Sequence, residues 1–182
     1  MSRMPTLTPE EMTDEQRAVV AKITAGPRKG IHGPFLPLLH SPLLLDRVQA
    51  LGLLCRFESS FPPKISELLI LVSARFWTAQ FEFSSHMESA KKAGVPEHVI
   101  EAIRTRQTPR FDDPEMALVY GFANEFFTTN KVSDDTFNAA VERFGRRSVV
   151  DLVGIMGYYA LIAMTLNIFE ELPEGIDLPL AP

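Results

Sequence analysis

Apolar side chains recur three and four positions apart through every long segment of the chain, and no two alternating runs are joined by a turn dipeptide that would make a hairpin. The pattern predicts an all-α fold, a single-domain bundle of about eight helices. The first helix starts near Thr8 or Thr13, where Thr13 and Gln16 have capping-box spacing, and stops at Gly26-Pro27. A loop rich in Gly, Pro and His follows. Ser41-Pro42 opens a second helix running to about Glu58, and Pro62-Pro63 opens a third through SELLILVSAR. A fourth, QFEFSSHMESAKKAG, stops at Gly94, and Pro96 begins a fifth that reaches about Arg106. The sixth covers roughly Pro114 to Thr129 with Leu118, Val119, Phe122 and Phe126 as its buried face. Ser133 caps a seventh ending at Gly145, and the last runs from about Ser148 to Glu171.

The closing LPEGIDLPLAP holds too much proline for more helix and is expected to be an extended tail packed on a neighbour. The organisation expected is an N-terminal helical arm and loop over residues 1–40, a helical core over 41–172 and the tail over 173–182. Leu152 to Phe169 is about as long as a membrane span, but it contains two glycines, adjacent tyrosines and Asn167, and no basic anchors follow it. A helix apolar all round belongs inside a domain or an oligomer, so no membrane partner is expected.

Composition narrows the function. The 182 residues, 46% hydrophobic, are enough for one substantial core. A net charge of −5 argues against nucleic acid, which requires a basic patch to neutralise phosphates. The first residues carry no secretory pattern, and the expected location is the cytoplasm. Cys55 is the only cysteine, so no disulfide or two-thiol redox centre forms within one chain.

Chemistry concentrates in one stretch. Glu82 and His86, four apart on a helix, lie within about 40° of each other on one face, where a carboxylate would orient the imidazole and raise its basicity. The same spacing also arises on any solvated helix. Here Phe81 and Phe83 flank the carboxylate and Trp77 lies just upstream, and an acid pair in apolar surroundings is costly unless used. Glu67 would be roughly 28 Å from His86 in one straight helix, and shares a site with it only if the chain turns near Arg75 to Thr78. A helix dipole favours a negative charge in a first turn, which by itself accounts for Glu67. Arg56 suits either a carboxylate clamp or a snorkelling surface role. His32, in the IHGPF loop, ranks second among the histidines, while His40 and His98 sit where local roles suffice. No paired-histidine motif is present, and no metal or organic cofactor is expected.

ELLILVSARFWTAQFEFSSHMESAKKAGVP resembles the core motif of the carboxymuconolactone decarboxylase family, which includes the alkylhydroperoxidase D-like proteins. GPFLPLLHSP, LGLLCRFESSFP and GYYALIAMTLNIF also look like stretches of its longer members, so the likeness covers most of Gly30 to Phe169. In the peroxidase branch the motif is a glutamate, a Cys-x-x-C pair and a histidine. The resemblance maps the glutamate to Glu67, the histidine to His86 and the cysteines to Ala79 and Glu82, so thiol peroxidase activity is not expected. In the decarboxylase branch an aromatic-Glu-aromatic triplet precedes the histidine, as Phe81-Glu82-Phe83 does here.

That branch implies a cofactor-independent lyase removing a carboxylate from an unsaturated lactone of aromatic degradation. His86 is the expected proton donor, Glu82 its orienting partner and Glu67 a relay or second acid. Arg56, His32, Phe83, Trp77 and Arg75 are the expected substrate-binding residues. The alternatives are a silent, ligand-binding member of the fold, or a lactone hydrolase or isomerase using the same residues. The resemblance also implies a homo-oligomer, a trimer or hexamer, which the apolar last helix fits.

Overall fold

The computed structural model describes residues 2–28, 30–172 and 179–181, and all the regular structure among them is helical. Thr13 caps α1 (Asp14–Ala25) in the expected box: Gln16 N–H donates to Thr13 Oγ1 at 3.2 Å and Thr13 N–H donates to Gln16 Oε1 at 2.8 Å. Gln16 Nε2 also donates to the Leu39 carbonyl at 3.1 Å, and Val19 and Ile23 enter the common core, so the N-terminal arm is an integral layer of the bundle.

The loop after α1 contains a single helical turn absent from the sequence reading, α2 (Phe35–Leu38), too short to show a period. The next helix was expected to run unbroken to Glu58. It is instead α3 (Pro42–Leu53) followed by a π-helical turn over Leu54–Glu58. The wider turn puts Cys55 fully inside while keeping Arg56 partly open to solvent, a local register change of the kind often found beside functional sites.

At the centre stands α4 (Pro63–Phe76), in which every residue from Ile65 to Arg75 is buried. A helix apolar on all sides needs neighbours on all sides, and α5 (Gln80–Ala93), α6 (Glu97–Arg104), α7 (Pro114–Thr129) and α8 (Asp134–Phe169) surround it. The turn between α4 and α5 falls where the sequence required it. Thr78 adopts φ +50° and Ala79 N–H closes on the Ala74 carbonyl at 2.8 Å, folding the two helices into an antiparallel hairpin. Gly94, at φ +95°, ends α5 in the left-handed region that glycine tolerates.

On α7, Met116, Val119, Phe122 and Ala123 form the buried stripe; Phe126, expected there, is 42% exposed because its neighbour Phe127 stacks on Phe76 instead, at 4.6 Å between ring centroids. The last two expected helices run almost continuously as α8, broken only at Gly145 with φ 80° and ψ 160°, a conformation that side chains resist. α8 is long and apolar enough to cross a membrane, yet Leu152, Ile155, Ile162 and Leu166 build the bundle core. Residues 173–178 and 182 of the expected tail lie outside the described residues. The described part packs on its own chain: the carbonyls of Pro179, Leu180 and Ala181 accept from Arg104, Gln80 and Arg75, and Leu180 is buried.

Candidate active site

The α4–α5 hairpin brings together two residues that lie nineteen apart in sequence. His86 Nδ1 and Glu67 Oε2 are 2.7 Å apart, and both side chains are buried. With Nδ1–H donated to the carboxylate, the Nε2 edge of the imidazole is left for the cavity that His86 lines. The Tyr159 ring meets the imidazole edge to face at 5.5 Å.

This corrects the expected pairing. Glu82 shares a face with His86 but makes no hydrogen bond to it; the ring turns across to the neighbouring helix, where Glu67 is aligned with Nδ1. Glu82 is 3% exposed, and its Oε2 finds no partner among the described residues. Burial pushes its carboxyl well above the usual carboxylate range; the Arg56 guanidinium opposes this, and the Glu67 charge reinforces it. Its surroundings thus favour the neutral carboxylic acid over the carboxylate on the wall of the cavity.

The cavity has a volume of about 410 Å³ and lies among α5, α8, the π-turn and the loop before α2. Arg28 and Arg56 supply positive charge: Arg28 stands over the Phe35 ring at 4.9 Å and Arg56 over the Phe57 ring at 5.3 Å. Arg28 Nη2 donates to Tyr158 Oη at 3.4 Å. Burial raises the Tyr158 phenol to about 12 and moves Tyr159 upward as well, so both stay protonated donors. His32 also lines the cavity, and Ile162 and Leu166 add apolar surface. The loop carrying His32 sits tightly over α5 because Gly33, at φ +53°, has no side chain; a Cβ there would lie 2.6 Å from the Phe81 ring.

Of the residues expected from sequence, Glu82, His86, Arg56 and His32 line this cavity, and Glu67 stands behind it on Nδ1 of His86. Phe83 does not: it is fully buried in the core, one helical step of about 100° from Glu82, and Phe81 takes the lining position. Trp77 and Arg75 also fall elsewhere, since they lie at the turn of the hairpin, about 12–15 Å along the axis of α4 from Glu67. Trp77 lines an apolar groove between α7 and α8, and Arg75 a separate polar cavity. Arg28, Tyr158 and Tyr159 were missed. The adjacent tyrosines inside an otherwise apolar helix were the one available signal, because a buried phenol needs a partner or a use.

Cys55 is fully buried, and burial raises its thiol to about 11, aided by the Asp151 charge, so it has little thiolate character. Among the described residues no three His, Cys, Asp or Glu side chains are grouped as ligands for a metal ion.

No protein-family model matches the chain, and no curated protein matches it either. Solved structures do. One is described as the alkylhydroperoxidase AhpD core of an uncharacterized peroxidase-related protein from Ralstonia eutropha JMP134; the TM-score is 0.77 at 15% identity, over 96% of this chain and 93% of that one. An uncharacterized peroxidase-related protein from Silicibacter sp. TM1040 superposes with a TM-score of 0.72 at 12% identity, over 95% and 91% of the two chains. At such identities the likeness concerns architecture. The all-helical bundle that positions Glu67, Glu82 and His86 therefore has the alkylhydroperoxidase D-like fold.

Proposed function

We propose that the cavity catalyses cofactor-independent decarboxylation of an unsaturated lactone or related carboxylated small molecule, as in the decarboxylase branch that the sequence resembles. The observation that carries this reading is the buried, unpartnered Glu82 carboxyl on the same cavity as two guanidinium groups and His86, which Glu67 backs from behind. Arg28 and Arg56 suit the substrate carboxylate. Breaking the bond to that carboxylate releases carbon dioxide, and the electron pair moves into the conjugated carbonyl to give a dienolate. Glu82 donates a hydrogen bond to the developing oxyanion, the use to which a carboxyl kept neutral by its surroundings is suited. His86, protonated at Nε2 and balanced by Glu67, then gives its proton to carbon and recovers one from solvent. The sum is one substrate carboxylate and one proton converted to one carbon dioxide and one C–H bond.

The roles differ from those the sequence suggested. His86 remains the proton donor, Glu67 takes over its orientation, and Glu82 becomes the electrophile. Thiol peroxidase chemistry is disfavoured because Ala79 and Glu82 stand at the positions of the cysteine pair. The homo-oligomeric part of the reading is supported by the exposed apolar stripe Leu43, Leu51, Leu54 and Phe57 on α3 and the following turn.

The test is carbon dioxide release from a panel of unsaturated lactones that bear a carboxylate, with decarboxylated lactones as controls. Release from at least one panel member supports the reading, and a panel without turnover ends it. One variant probes the clamp. A Cβ on Gly52 would collide with the Tyr158 hydroxyl and ring and lie 2.6 Å from Arg28 Nη2, so Gly52→Ala displaces the phenol and the guanidinium end together while suiting the helix backbone. The expected result is KM raised about tenfold, a loss of about 1.4 kcal/mol of binding, with unchanged helicity by circular dichroism. An unchanged KM would remove Arg28 from the clamp.

A further inference from the structure

A second cavity, of about 570 Å³, opens at the far end of α4 between α6, α7 and the loop after α6. Its charge is of one sign. Arg75 is 5% exposed, and its Nε has no partner among the described residues. Its Nη1 donates to Thr78 Oγ1 at 3.1 Å and its Nη2 to the Ala181 carbonyl at 2.9 Å. Arg106, at φ +59°, brings a second guanidinium to the same hydroxyl, with Nη2 3.2 Å from Thr78 Oγ1. No carboxylate pairs with Arg75 or Arg106 among the described residues, whereas Arg104 beside them has Glu101. Burial, and then the repulsion of Arg106 and Arg104, lowers the Arg75 pKa. The remaining wall is aromatic: Phe76 and Phe127 are stacked with an interplanar angle of 15°, and Tyr120 lies beside them.

Two guanidinium groups meeting at one hydroxyl on the wall of a cavity, beside an aromatic shelf, make a binding site for an anion with a flat apolar body. We propose that this cavity binds a small aromatic carboxylate, with the carboxylate between Arg75 and Arg106 and the ring against Phe76 and Phe127. The proposal is independent of the decarboxylation reading. The two neighbouring guanidinium groups recognise the planar carboxylate, and the shelf recognises the ring.

The experiment is calorimetric titration with benzoate, with benzyl alcohol as the uncharged control. Because Arg28 and Arg56 offer a second carboxylate site, the titration is run on the R28Q/R56Q protein and on the same protein carrying Arg106→Gln as well. Benzoate binding to R28Q/R56Q that weakens at least tenfold on adding R106Q, with benzyl alcohol bound far more weakly, is the expected result. Arg106 is exposed, so its replacement leaves the core intact. If R28Q/R56Q fails to fold, R106Q in the otherwise unaltered chain must remove one benzoate binding event. No benzoate binding, an affinity indifferent to Arg106, or equal binding of benzyl alcohol would overturn the proposal.

Discussion

If the proposed decarboxylation holds, His86→Ala is expected to lower kcat for carbon dioxide release by about 10²–10⁴-fold, the range that a positioned general acid contributes. The variant leaves the Glu67 carboxylate buried without its partner, at a cost of several kcal/mol in stability, about 3–5 for a broken buried pair. Activity must therefore be read well below its unfolding temperature, with folding checked by urea titration. Glu67→Gln keeps the size of the partner but removes the charge that balances an imidazolium, and is expected to lower kcat to a similar degree while KM changes little. Since the two act as one unit, the double variant falls no further than His86→Ala alone. A further multiplicative loss in the double variant would show that Glu67 acts on something other than the histidine.

Glu82→Gln separates turnover from stability. The folded protein holds Glu82 with a raised pKa, so the native state binds a proton that the unfolded chain releases above the ordinary carboxylate range. Stability from this group is fully present below the unfolded pKa and is lost as pH rises towards the folded one. Replacement by the neutral amide removes that dependence: the variant's unfolding temperature changes less between pH 5 and 8, and its advantage over the wild type grows with pH. A gain of about 1 kcal/mol corresponds to roughly 2–4 °C for a chain of this size. Turnover moves the other way, down by about 10²–10³-fold, the cost of removing one oxyanion donor. Melting curves of the two proteins across that pH range check the first part. Parallel curves would mean that Glu82 is not held neutral, and the proposed electrophile would be lost with it.

The helices were legible because local chemistry marks their ends: Thr13, Ser133 and Gly94 act as the caps their residue types suggest, and the chain reverses at Thr78 as a shared site for Glu67 and His86 demanded. What failed was choice among neighbours. An i,i+4 spacing shows that Glu82 and His86 share a face, but the competing carboxylate arrives from another helix, and no local pattern reports the rotation of the imidazole. Phe81 and Phe83 look equivalent in sequence, and only the position of α4 decides which ring enters the core. Arg28 and Tyr158 meet across 130 residues, a contact fixed by tertiary packing alone. The π-turn at Leu54–Glu58 has no proline or glycine to announce it after Gly52, although it determines how Arg56 reaches the cavity.

The central claim is that this cavity exchanges a carboxylate for a proton on carbon. It is tested most directly by product analysis in deuterium oxide on a panel lactone that the protein turns over. The account predicts one carbon dioxide per product and one deuterium at the carbon that carried the carboxylate, with both yields falling together in His86→Ala. Product that retains its carboxylate, whether ring-opened with solvent oxygen or merely isomerised, would contradict it.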